Sequence, residues 1–152
     1  MDIVESNYPR NLCHKIPPWV KNGSVFHIRI RGSKRRTDSL IDKSLAPQVF
    51  ESVIFYQQQE IWNYSLFLLM PDHLHALLSF NPEKKMSTVI GSWKSYLTRN
   101  RGIKWQTNYF DHRIRNEAEL TIKYQYILNN PVAKGLCKEV ETWPWKLENR
   151  EL

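Results

Sequence analysis

Leu68-Leu69-Met70-Pro71-Asp72-His73-Leu74-His75-Ala76-Leu77-Leu78 holds two apolar runs on either side of a Pro-Asp turn. The pattern reads as a β-hairpin, with Tyr64 to Met70 as one strand and His73 to Phe80 as its partner. In a strand, residues two apart share a face. His73 and His75 therefore project side by side, while Leu74 goes to the opposite, buried face. Two imidazoles on one face make half of a divalent-metal site. The competing reading of such a pair is two polar residues on the solvent side of a strand. The turn beside the pair and the adjoining Asp72, a hydrogen-bond partner for a ligating histidine, favour the metal reading.

On the N-terminal side of the hairpin, residues 1–18 read as an irregular lead-in ending in Pro17-Pro18. Val25-Phe26-His27-Ile28-Arg29-Ile30-Arg31 alternates apolar and polar residues, the mark of a half-buried strand. Lys34-Arg35-Arg36 follows in a loop. Pro47 suits the first turn of a helix, and Val49, Val53, Ile54 and Ile61 recur at helical spacing. On the C-terminal side, Asn81-Pro82 ends the second hairpin strand. Ser87 is a cap for the next helix, whose buried stripe is Val89, Ile90, Trp93, Tyr96 and Leu97. A short extended piece falls around Trp105-Gln106. Asn116 caps a last helix with Glu117 and Glu119 in its first turn, and Pro131 stops it near Asn130. Residues 146–152 read as a short tail.

The order strand, helix, strand, strand, helix, strand is that of the α+β ferredoxin-like fold, βαββαβ. It implies an antiparallel sheet with helices on one face, followed here by an additional C-terminal helix. The other face is left to carry the histidines against a ligand. At 152 residues, 41% of them hydrophobic, the whole chain 1–152 is expected to form one domain. Six Trp and seven Tyr argue against disorder. A net charge of +7 on an aromatic-rich chain leans towards nucleic acid, although charge alone speaks only to non-specific binding. Cys13 and Cys137 form no C-x-x-C pair, so no zinc knuckle or redox motif is indicated, and they suit a reducing cytoplasm. Met1 to Arg10 lacks the apolar core of a signal peptide, and the longest apolar run, Leu66 to Met70, is far too short to span a bilayer.

Two histidines need a third ligand. The last helix reads Ile122-Lys123-Tyr124-Gln125-Tyr126-Ile127-Leu128-Asn129-Asn130-Pro131. Tyr126 and Asn130 are four apart and lie on one helix face. The amide oxygen of Asn130 is a candidate ligand. Two imidazoles, a carbonyl oxygen and open positions suit Mg²⁺ or Mn²⁺ in contact with phosphate oxygens. Without thiolate or a third histidine, a structural zinc site is disfavoured. Taken singly, Tyr126 reads more readily as a packed aromatic and Asn130 as a helix C-cap, and their pairing four residues apart narrows that gap without closing it.

Met70-Pro71-Asp72-His73-Leu74-His75 resembles the His-hydrophobe-His motif of the single-tyrosine HUH transposases, and in particular of their REP-associated tyrosine transposase branch. Phe26 to Arg31 is similar to that family's first strand. Trp105-Gln106 through Tyr109-Phe110-Asp111-His112 to Ile114-Arg115-Asn116-Glu117 resembles its segment before the tyrosine helix. Tyr126-Ile127-Leu128-Asn129-Asn130-Pro131-Val132-Ala133-Lys134-Gly135-Leu136 is similar to its tyrosine-helix signature. Four motifs in order cover roughly residues 19 to 145. Two positions depart from the family pattern. Arg29 stands where a small polar residue is usual, and Ala133-Lys134 inverts the usual basic-Ala order.

The resemblance implies that His73, His75 and Asn130 hold Mg²⁺ or Mn²⁺, and that Tyr126 is the nucleophile. Tyr124 is the rival tyrosine, on another helix face. The implied activity is cleavage of single-stranded DNA by transesterification, through a 5′-phosphotyrosine, with hairpin-containing DNA as partner. One tyrosine per chain implies that paired cleavages use either a homodimer or the same tyrosine twice. No base for the phenol is evident, and His112 is either that base or a structural contact. Phosphate contacts are expected from Arg29, Arg31, Lys34, Arg35, Arg36, Lys94, Arg99, Arg101, Arg113 and Arg115. Trp93, Tyr96, Trp105, Trp143 and Trp145 are either stacking platforms or core. The alternative function is hairpin DNA or RNA binding without cleavage. An RNA-recognition domain would carry a Gly-aromatic run that this chain lacks. A histidine-triad hydrolase would carry a histidine where Leu77 stands.

Overall fold

The computed structural model describes residues 16–34 and 39–149. Eight main elements follow in order: β1 (Phe26–Arg31), α1 (Ala46–Gln58), β2 (Trp62–Leu69), β3 (His73–Phe80), α2 (Met86–Arg101), β4 (Phe110–Arg113), α3 (Glu117–Ala133) and β5 (Lys146–Glu148). The sheet has the order β4-β1-β3-β2-β5, and every pairing is antiparallel. Its first four strands carry the ferredoxin-like order expected from the sequence.

β3 is central, and its burial follows from period-two alternation with both sheet faces covered. Leu74, Ala76 and Leu78 pair with Ile30, Ile28 and Phe26 on one face. This face packs under α1 and α2, where Trp93 of α2 lies 5.6 Å from Trp62 and 5.5 Å from Phe67, ring centre to ring centre. The Trp93 indole N–H donates to Ser52 Oγ of α1 at 2.9 Å, so the aromatic core leaves no polar edge unpaired there. Burial of each such side chain stabilises the fold by roughly 1.5–3 kcal/mol.

α3 lies across the opposite face, where Tyr126 meets His75 and Glu119 meets His112. The histidine face is therefore not open: His75 is only 2% exposed. The start of α3 follows its sequence signal, since the Asn116 side chain accepts from Glu119 N at 2.9 Å.

Several local expectations are corrected. α2 begins at Met86 after Lys85, with no side-chain cap, so Ser87 lies inside the helix. Tyr96 is 41% exposed and leaves the buried stripe to Val89, Ile90, Trp93 and Leu97. Ile61 falls beyond α1, past Glu60 at φ 56°. Trp105 makes one isolated bridge to Gly32, and the fourth strand is Phe110–Arg113 instead. α3 runs through Pro131 to Ala133, because a proline so near the C-terminus forfeits a single helical hydrogen bond. The tail contains β5, which pairs with the edge of β2. Lead-in residues 1–15 lie outside the described residues.

Candidate active site

The register of β1 against β3 sets Arg29 opposite His75 and Arg31 opposite His73. Paired residues share a face, so the four side chains converge beneath α3. There they line a pocket of about 450 Å³ with Asp72, Tyr126, Asn130 and Lys134.

Both histidines are held through Nδ1. His73 Nδ1 donates to the Asp72 carboxylate at 2.6 Å. His75 Nδ1 lies 3.0 Å from Nε2 of His27, a buried histidine of β1. Burial drives the His75 pKa down to about 3, helped by the neighbouring His73 and His27. Burial likewise lowers His27 to about 4. His73 is lowered by burial, against the opposing pull of Asp72. The imidazoles are thus neutral at pH 7, which is the form that ligates a cation. The Asp72 carboxyl is held below its usual range, first by its hydrogen bond with His73.

Asn130 brings an amide to the same pocket. It is 6% exposed, and its Oδ1 is buried without a hydrogen-bond partner among the described residues. A buried orphan oxygen costs about 1–3 kcal/mol, a cost that a cation relieves. Two imidazole nitrogens and this amide oxygen fit a hard divalent metal that keeps open positions. Among the described residues, no group of three or more His, Cys, Asp or Glu is placed to hold a metal.

The tyrosines separate cleanly. Tyr126 is 55% exposed, its ring 6.2 Å from that of His75 and 6.0 Å from Lys123 Nζ. Tyr124 faces β5 and donates its hydroxyl to Glu148 Oε1 at 2.6 Å.

Of the expected phosphate-binding residues, Arg29 and Arg31 reach this pocket, with the Arg29 guanidinium 5.0 Å from the Phe110 ring. Lys94, Arg99 and Arg101 belong to α2, on the far side of the sheet. Lys94 Nζ is engaged with the carbonyls of Gln106 and Thr107. Lys34 and Arg113 are exposed, and Arg115 pairs at 3.8 Å with Glu119. Arg35 and Arg36 lie outside the described residues. His112 bonds to Glu119 at 2.8 Å and does not line the pocket. Trp93, Trp143 and Trp145 are core. A larger groove of about 1000 Å³ along α2 carries Lys94, Arg99 and Lys104 but no histidine or carboxylate. Sequence reasoning passed over His27 and Lys134. The first shares its strand face with Arg29 and Arg31, and the second follows Asn130 by one helical turn.

The chain is similar to the REP-associated tyrosine transposase of Escherichia coli (strain K12), with 25% identity over 138 residues that cover 88% of this chain and 81% of that one. Its fold is similar to a solved structure of a REP-associated tyrosine transposase bound to a REP hairpin, with a TM-score of 0.71 and 23% identity over 82% of this chain and 76% of that one. Among the described residues, no helix is long and apolar enough to cross a membrane. Residues 22–130 match the family model described as "Transposase IS200 like", and the chain belongs to that family, with REP-associated tyrosine transposases among its relatives.

Proposed function

We propose that this protein is a metal-dependent single-stranded DNA endonuclease and strand transferase that acts on hairpin-containing DNA. One observation carries the reading. An exposed tyrosine, two neutral imidazoles and a buried amide oxygen that has no partner among the described residues meet at one basic pocket. The hairpin partner is supported by the fold likeness to a transposase solved with a REP hairpin.

Arg29, Arg31 and Lys134 draw the DNA backbone into the pocket and orient a phosphate there. His73, His75 and Asn130 hold Mg²⁺ or Mn²⁺, which when bound supplies charge to polarise the phosphate oxygens. Tyr126 Oη attacks phosphorus in line and forms a P–Oη bond as the bond to the 3′ oxygen breaks. The phenol loses its proton, the departing oxygen gains one, and a 5′-phosphotyrosine and a free 3′-hydroxyl remain. Attack by a second 3′-hydroxyl reverses the step and joins strands.

The test incubates protein with labelled single-stranded hairpin DNAs and Mn²⁺, followed by denaturing gels. The expected result is a metal-dependent covalent adduct, absent in Tyr126→Phe and His73→Ala. Hairpin binding by a folded wild-type protein that yields no adduct on its own cognate hairpin overturns the reading in favour of a binding protein that does not cut.

A further inference from the structure

His27 does not line the pocket, yet it is bonded to a residue that does. Its ring stacks on that of His75, with centroids 5.2 Å apart and planes at 28°, and Phe110 closes its other side at 5.6 Å. The contact joins two ring nitrogens, His27 Nε2 and His75 Nδ1, at 3.0 Å. Such a bond holds one proton, so two arrangements exist. If His27 donates, His75 carries its own hydrogen on Nε2, and that nitrogen cannot ligate. If His75 donates from Nδ1, its Nε2 keeps a free lone pair. His27 Nδ1 has no partner among the described residues in either arrangement.

His73 meets the same choice with a carboxylate. Asp72 can only accept, so the His73 hydrogen sits on Nδ1 and its Nε2 stays bare. His75 has no carboxylate on its Nδ1 side; it has His27. We infer that His27 is a positioning residue, accepting the Nδ1–H of His75 at Nε2 and so fixing the tautomer that offers His75 Nε2 to the pocket. The inference rests on the metal site proposed above.

Two variants test it. His27→Phe keeps an aromatic ring against Phe110 and removes the acceptor, whereas His27→Gln keeps an acceptor oxygen. The first readout is the imidazole ¹⁵N correlation spectrum of metal-free protein. His75 is expected to be protonated at Nδ1 in wild type and in H27Q, and at Nε2 in H27F. The second is Mn²⁺ affinity without DNA, by electron paramagnetic resonance. H27F is expected to bind about 10–100-fold more weakly, with H27Q close to wild type. A wild-type His75 protonated at Nε2 overturns the inference, and so does unchanged Mn²⁺ affinity in folded H27F. If H27F does not fold, the wild-type spectrum still decides. If the tautomer shifts as expected but wild type binds no Mn²⁺, the metal reading falls and the effect of His27 on His75 stands.

Discussion

The hydroxyl of Tyr124 donates to Glu148 at 2.6 Å, tying α3 to the edge strand β5, while Tyr126 two residues later is 55% exposed. The two phenols therefore fail in opposite ways. Tyr124→Phe is expected to lower unfolding free energy by about 1–2 kcal/mol and to keep the covalent adduct. Tyr126→Phe is expected to leave stability within about 0.5 kcal/mol and to abolish the adduct. Chemical denaturation beside the gel assay checks both, and an adduct surviving only in Tyr126→Phe reverses the assignment.

Asn130 sets function against stability. Its buried Oδ1 has no partner among the described residues, so Asn130→Leu removes a group that costs about 1–3 kcal/mol. The variant is expected to melt at or above the wild-type temperature in chelator, and to bind Mn²⁺ at least 10-fold more weakly, on the order of a lost ligand contact. A large fall in melting temperature would show that the oxygen has a structural partner.

The neutral histidines impose a pH dependence. In the unfolded chain they titrate near 6.5, whereas His27 and His75 fold with values of about 4 and 3, and His73 is also lowered. Between roughly pH 4 and 6.5 the unfolded chain binds protons that the native chain does not. Stability is therefore full above pH 6.5 and falls on acidification through that window, by about 1 kcal/mol per pH unit for each of His27 and His75, with His73 adding in the same direction. Urea midpoints in chelator should drop from pH 7.5 to pH 5, before the carboxylates titrate. A flat profile would mean that the imidazoles charge within the fold.

Salt dependence separates the two basic faces. Arg31 lines the pocket and Arg99 lies on α2 behind the sheet. Arg31→Ala should weaken binding of a short single-stranded oligonucleotide whatever its sequence, and reduce the slope of log K against log salt by about 0.7. Arg99→Ala should leave that slope unchanged. Equal effects would place the strand across both faces.

Local rules made much of this fold readable. The Pro-Asp turn and alternating apolar residues delimited β3 from His73 to Phe80, and Asn116 marked the start of α3 through its own side chain. The pairing of Tyr126 with Asn130 followed from helical spacing alone, and the pocket brings both residues to the histidines. What escaped depends on partners distant in sequence. His27 meets His75 across 48 positions, and no periodicity within β1 announces that contact. β5 is three residues long and exists because β2 offers an edge. Pro131 is a breaker by propensity, but the helix has one turn left to lose. Tyr96 fits the apolar stripe by spacing, yet it is exposed, since among the described residues no element of the core covers that edge of α2.

The alternation of β1 has an evolutionary corollary. Arg29 and Arg31 face the histidines, while Ile28 and Ile30 pair with Ala76 and Leu74 in the core. Strand and chemistry thus share a reading frame: deleting one residue from β1 turns two arginines into the hydrophobic interior and two isoleucines onto the pocket. Indels in β1 or β3 therefore put charge into the core and misfold the sheet, so the strand side of this pocket can change only by substitution, one side chain at a time.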